Sequence, residues 1–161
     1  ITIAAASLTG LPTNQRGFDL PLPMIRHVRP PHRLWEREPG QTDDEFATTL
    51  ATELEEYLAG SRRDFTTPYE LRGGEHHQRV WALLERIPYG QTVTYGDLAR
   101  RLDSAPRAIG GACGRNPLPI VIPCHRVVGG AGKGGYSGFG GLTTKDWLLN
   151  HETLLVHAPV S

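Results

Sequence analysis

The sequence predicts a small α/β segment over residues 1–71, followed over residues 72–161 by an α-helical domain that contains a helix-turn-helix. Three observations carry this prediction. Gly73-Gly74 punctuates the chain near its middle, a single helical stripe flanked by strand-like and proline-rich segments precedes it, and a succession of short capped helices follows it. A chain of 161 residues accommodates one domain or two small ones, each with a real core.

In the first segment, Ile1 to Ile3 and Ser7 to Leu11 read as short strands around a turn. Pro21 to Pro39 reads as a connector whose prolines exclude regular helix. Thr42-Asp43-Asp44-Glu45 has the form of a capping box, after which Phe46, Leu50, Leu54, Tyr57 and Leu58 recur at helical spacing until Gly60. On this reading the segment is scaffold.

Beyond Gly74, His77, Val80, Trp81, Leu84 and Ile87 form one helical stripe, ended by Pro88-Tyr89-Gly90. Thr94-x-x-Asp97 caps a short helix carrying Leu98 and Leu102, Asp103-Ser104 interrupts it, and Pro106 opens another that runs to Cys113. Two short helices joined by a tight turn make a helix-turn-helix, whose second helix would lie along a nucleic-acid groove; plain helix packing is the competing reading. That second helix is thin, with Ala108, Gly110, Gly111 and Ala112, which helix propensity alone would not choose. Arg107 is its long cationic side chain, either merely solvated or the probe of a helix that enters a groove.

Composition narrows the function classes. Hydrophobic residues at 39% and charged residues at 21%, with apolar runs of only a few residues, exclude a disordered tail and a membrane span. The chain opens at Ile1 with no basic-then-apolar leader, which reads as a trimmed N-terminus without a secretory signal. Two cysteines without C-x-x-C spacing favour a reducing, cytoplasmic setting over a disulfide framework or a zinc pair. The zero net charge hides an asymmetry: residues 1–71 hold seven Arg against eleven acids, and residues 72–161 hold ten basic residues against six acids. A basic second half hints at an anionic partner.

The chemistry-bearing residues cluster late. Asn116-Pro117 ends the thin helix, and Leu118 to Ile122 reads as an extended, buried run leading into Pro123-Cys124-His125-Arg126. A cysteine beside a histidine at the end of an apolar segment suits nucleophilic chemistry if the imidazole, or a water it holds, takes the thiol proton. Gly129 to Gly141, eight of its thirteen residues Gly, lacks the spacing of a phosphate loop. It reads as a lid that brings backbone N–H groups and the ring of Tyr136 to a flat ligand. Thr143-x-x-Asp146 then caps a last helix with Trp147, Leu148 and Leu149. Glu152 falls on its inward stripe, where a buried carboxylate needs a partner; His125 is the candidate.

Taken in order, Arg107-Ala-x-Gly-Gly-Ala, Asn116-Pro-x-Pro-Ile, Ile122-Pro-Cys-His-Arg-Val-Val, Tyr136-Ser-Gly and Lys145-x-Trp-Leu-Leu-x-His-Glu resemble the O6-alkylguanine-DNA alkyltransferases, over about Gln78 to Glu152. The resemblance implies a ribonuclease-H-like α/β N-terminal domain and a C-terminal domain with a winged helix-turn-helix. It implies no cofactor, and a monomer that acts on double-stranded DNA containing O6-alkylguanine or O4-alkylthymine, flipping the damaged base out of the stack. Cys124 would be the alkyl acceptor, with His125 and Glu152 the water-bridged relay that makes it a thiolate. Asn116 would brace the Cys loop against the recognition helix. Arg107 would fill the gap left by the flipped nucleotide, with Ala108, Gly110, Gly111 and Arg115 beside it on the DNA. Tyr95 would crowd the phosphate and meet the base, Tyr136 and Ser137 would close over the guanine, carbonyls at Cys124 and Val127 would accept from its amine, and Lys145 would support the wall.

The chain departs from the family pattern in a shorter Tyr95–Arg107 span and a shorter Val128–Tyr136 lid. Gly74-Glu-His-His77 and Cys113-Gly-Arg115 also stand where the family has other residues. Cys113 reads as a packed helix residue. His27 and His32 could suggest a structural zinc, but residues 1–71 contain no cysteine, so no metal is expected. Two other functions compete. A damage-binding relative without chemistry would lack the acceptor cysteine, and a Cys-His-Glu hydrolase would need an oxyanion hole but no helix-turn-helix.

Overall fold

A computed structural model describes residues 35–36 and 43–156. The strands expected within Ile1–Leu11, most of the Pro21–Pro39 connector, and His27 and His32 lie outside the described residues. The chain divides into two units between Arg72 and Gly73.

In the first unit β1 (Trp35–Glu36) pairs antiparallel with β2 (Glu70–Leu71), Trp35 opposite Leu71. Helix α1 spans Asp43–Ala59, and the Thr42 cap expected from the sequence lies outside the described residues. It stops at Gly60, whose φ of +82° is a conformation that side chains with a Cβ rarely adopt. The buried stripe of α1 differs from the expected one: Leu50, Glu53 and Tyr57 are buried, while Leu54 and Leu58 are half-buried. Glu53 Oε1 accepts hydrogen bonds from Thr66 N at 3.0 Å, Thr67 N at 3.1 Å and the Thr66 hydroxyl at 2.5 Å. Burial alone would push this carboxyl up, but those bonds hold it below the usual range, so the charged group pins the following loop to the helix.

The second unit runs α2 (Glu75–Leu84), β3 (Val93–Thr94), α3 (Tyr95–Leu102), α4 (Pro106–Gly114), a 3-10 turn at Cys124–Arg126, β4 (Val127–Val128) and α5 (Leu142–Val156). Strands β3 and β4 pair in parallel, Val93 opposite Val127, which brings the start of the helix pair beside the Cys124 turn. The capping box of α3 is formed: Thr94 Oγ1 accepts from Asp97 N at 3.0 Å, and Asp97 Oδ2 accepts from Thr94 N at 3.1 Å. Asp103 ends α3 in the left-handed region (φ +49°), and Pro106 stands in the first turn of α4, where its missing N–H costs nothing. Buried Trp81 of α2 donates its indole N–H to the Ala112 carbonyl at 3.0 Å, fixing α2 against α4. No helix among the described residues is long and apolar enough to cross a membrane.

Two local expectations are corrected. Leu118 to Ile122 is buried but not extended: Ile122 N donates to Leu118 O at 2.8 Å and Ile120 sits at φ +81°. The Asn116 side chain causes this by accepting from Leu118 N and donating to Ile122 O, which closes the segment into a turn. The cap of α5 is not Thr143, because the helix already begins at Leu142. Instead Gly140 N donates to Thr144 Oγ1, and Asp146 pairs with Lys133 at 2.7 Å.

Trp81→Phe keeps a ring in the core but removes the bond to Ala112. It should destabilise the protein by about 1–3 kcal/mol, the loss of one buried hydrogen bond together with lost volume, since Ala112 O keeps its bond from Arg115 N; urea unfolding midpoints read it.

Candidate active site

Cys124 opens the 3-10 turn immediately after the Asn116-closed loop, and both it and His125 are buried. Asn116 reaches across that loop: its Nδ2 donates to Ile122 O at 2.8 Å and to Cys124 Sγ at 3.1 Å, and its Oδ1 accepts from Leu118 N at 2.9 Å. One amide therefore ties the residues after α4 to the thiol.

Behind the thiol lies a carboxylate with several donors. Glu152 on α5, with Lys145 and Leu148 on the same buried face, is 0% exposed. Its Oε1 accepts from His125 Nε2 at 2.8 Å and from Arg126 Nη2 at 2.9 Å; Arg126 Nε bonds Oε2 at 3.0 Å; and Gly90 N donates to Oε2 at 3.0 Å. Arg126 spends its remaining reach on the Ile87 carbonyl at 2.6 Å, with its guanidinium over the Tyr89 ring at 5.5 Å. The His125–Glu152 contact is the one the sequence predicts. Arg126 and Gly90 are not in that reading; the signal available was the long cation one residue beyond His125 in an otherwise apolar segment.

The charges follow from these contacts. Burial would raise the Glu152 carboxyl, but hydrogen bonds from His125 and Arg126 and their charges bring it down to about 2. Burial pushes the His125 imidazole down, against the pull of Glu152 and with help from the charges of Arg126 and Lys145. The resting pair is thus carboxylate and neutral imidazole. The Nε2–H donates to Glu152, leaving Nδ1 as a basic lone pair, and Nδ1 is buried without a hydrogen-bond partner among the described residues. Burial likewise pushes the Cys124 thiol up, offset only in part by the Asn116 bond, backbone bonds and the charge of Lys145. Making Cys124 a thiolate therefore falls to the neighbouring base, as the relay expected from the resemblance would have it.

Cys124 opens into a cavity of about 530 Å³, walled on one side by Arg107, Gly110 and Cys113 of α4 and on the other by Tyr136 and Ser137. That size is in the range of sites for small organic ligands. Tyr95 also lines it and donates its hydroxyl to Gly135 O at 3.1 Å. The lid can approach Tyr95 only because residue 134 is Gly: a Cβ there would stand 2.6 Å from the ring, and its φ is +69°. Buried Lys145 donates to Val127 O at 2.5 Å and Gly135 O at 3.2 Å, joining the Cys124 strand to the lid. Of the residues singled out from the sequence, Tyr95, Arg107, Gly110, Cys124, Tyr136 and Ser137 line the cavity, and His125, Glu152, Asn116, Val127 and Lys145 support it. Ala108, Gly111 and Arg115 do not line it; Ala108 and Arg115 are exposed on α4 and just past its end, and Gly111 is half-buried.

The Cys124 cavity is laid against α4, the second of two short helices joined by the turn at Asp103 and Ser104. Residues 75–154 match the family described as 6-O-methylguanine DNA methyltransferase, DNA binding domain. A methylated-DNA–protein-cysteine methyltransferase of Mycolicibacterium paratuberculosis is 41% identical over 144 residues, covering 86% of this chain and 85% of that protein. The solved O6-methylguanine methyltransferase of Mycobacterium tuberculosis superposes with a TM-score of 0.65 at 39% identity, covering 71% of this chain and 69% of that one. The same organism's protein solved in complex with DNA superposes with a TM-score of 0.64 at 40% identity, covering 68% of each. The chain belongs to the methylated-DNA–protein-cysteine methyltransferase family.

Because the folded Glu152 carboxyl sits at about 2, below its ordinary 4.5, its ionised form contributes stability that is present above pH 4.5 and lost as pH falls through about 2. Glu152→Gln should therefore melt below wild type at pH 7. The gap in Tm should narrow between pH 5 and pH 2; a gap that stays constant over that window would contradict the assignment.

Proposed function

We propose that this protein repairs DNA by direct reversal: it takes the alkyl group from O6-alkylguanine, and from O4-alkylthymine, onto its own Cys124. It does so once per molecule, without a cofactor, as a monomer in the cytoplasm. The observation that carries the reading is Cys124 in a cavity walled by α4, next in sequence to His125, whose Nε2 lies 2.8 Å from the buried Glu152 carboxylate. The family match and the relatives' activity support it. On this reading the first unit is a ribonuclease-H-like scaffold and the second a winged helix-turn-helix.

An O6-alkyl group cannot be attacked in line by a buried sulfur while the base is stacked, so the nucleotide turns out, at a cost of a few kcal/mol. The thin α4, with Ala108, Gly110 and Gly111, enters the groove; Arg107 takes the vacated place; Arg115 neutralises phosphate. Tyr95 meets the extruded nucleotide, and Tyr136 and Ser137 close over the base, the Ser137 N–H at the departing oxygen. Carbonyls at Cys124 and Val127 accept from the base's amine, and Lys145 holds the Val127 strand. As Sγ bonds the alkyl carbon, the C–O6 bond breaks and its electrons stay on the guanine. The thiol proton passes through a water to His125 Nδ1, and a proton returns to the guanine, leaving it neutral.

The product is a thioether, which has no carbonyl for water to attack, so no second step regenerates the thiol. Duplex DNA with one O6-methylguanine should add the mass of one methyl group at Cys124, with repaired base never exceeding protein and no transfer by Cys124→Ser. Sustained turnover would instead mark a hydrolase, and binding without mass gain a damage-recognition protein.

A further inference from the structure

We propose that Arg126 is a positioning residue of the relay: by holding the Glu152 carboxylate in a two-pronged ion pair, it allows His125 to stay an uncharged base with its free nitrogen at Nδ1. The inference rests on the function proposed above and adds a residue to its mechanism.

A buried carboxylate needs a compensating cation. Among the described residues, the imidazole of His125 meets Glu152 at 2.8 Å and the guanidinium of Arg126 at 2.9 and 3.0 Å. If His125 were the sole partner, the pair would settle as imidazolium and carboxylate, and an imidazolium accepts no proton. Arg126 removes that demand, because its guanidinium is a second cation on the carboxylate and its fork matches the carboxylate's two oxygens. Its position is fixed from the far side by Ile87 O at 2.6 Å and the Tyr89 ring. Gly90 N completes the grip on Oε2 from the same turn. That turn leads to β3 and then α3, so the carboxylate is anchored to the backbone that starts the helix pair.

The charged and titratable groups around His125 are few. Glu152 and Lys145 stand on α5, Arg126 and Cys124 on its own turn, and Tyr89 lies on the turn after α2. Lys145 adds to the repulsion that Arg126 exerts on an imidazolium, and among the described groups Glu152 opposes them. Removing the guanidinium therefore shifts the balance toward imidazolium.

The test is the pH dependence of Cys124 methylation by duplex DNA bearing O6-methylguanine, followed by intact mass in single-turnover conditions. For Arg126→Gln the acid limb of the profile should move up by at least one pH unit. The rate at pH 7 should drop about tenfold and recover toward pH 9. Arg126→Lys retains the charge, so its limb should stay within half a unit of wild type even if the plateau is lower. A uniform loss across all pH values in Arg126→Gln, or a limb shifted equally in both variants, would overturn the proposal. Absence of methylation in the wild type would instead sink the functional reading on which it rests.

Discussion

The second unit depends on one buried carboxylate. Glu152 is fully enclosed, yet it accepts hydrogen bonds from His125, Arg126 and Gly90, each on a segment distant in sequence from α5. A carboxylate left unpaired in such a place would cost several kcal/mol, so the three partners and α5 are held in register by the same requirement. The Cys124 turn, the turn that follows α2 and the last helix thereby become one assembly. Function draws on that assembly, since a base placed beside a nucleophile is useful only if its charge and tautomer are fixed.

Around this anchor, Asn116 and Lys145 do the joining. Asn116 links the end of α4 to the thiol with one amide, so the helix that would meet DNA and the sulfur that would accept the alkyl group share a hydrogen bond. Lys145 joins the strand after Cys124 to the glycine-rich lid through two carbonyls. Burial pushes the Cys124 thiol up, with the Asn116 hydrogen bond pulling the other way. The cavity is lined in part by the small residues Gly110, Gly114 and Gly135, while His125 and Glu152 behind it are fully buried.

Much of this was legible in the sequence because the signals are local. Thr94 with Asp97, Pro106 at a helix start and Gly60 at a helix end act within one turn, and the structure has all three as expected. The pairing of His125 with Glu152 was also legible, since a carboxylate on an inward stripe must find a partner. What remained hidden depends on tertiary contact. Glu53 looks like one of several acids on α1 until Thr66 and Thr67 fold back onto it. The Leu118–Ile122 run has an apolar pattern that an extended strand and a side-chain-closed turn share; only the two-ended use of Asn116 separates them. Thr143 with Asp146 shows the same limit from the other side: the spacing of a capping box is present, but Lys133 takes the carboxylate and the helix starts a residue earlier.

Together Glu152 and Arg126 hold His125 neutral, protonated at Nε2 and open at Nδ1. Long-range proton–nitrogen NMR correlation on uniformly labelled protein reads this directly, because the two imidazole nitrogens have distinct shifts in each tautomer and converge in the imidazolium. His125 should show the neutral Nε2–H pattern at pH 7, unchanged on raising the pH to 8. An imidazolium pattern at pH 7, or the Nδ1–H tautomer, would contradict it.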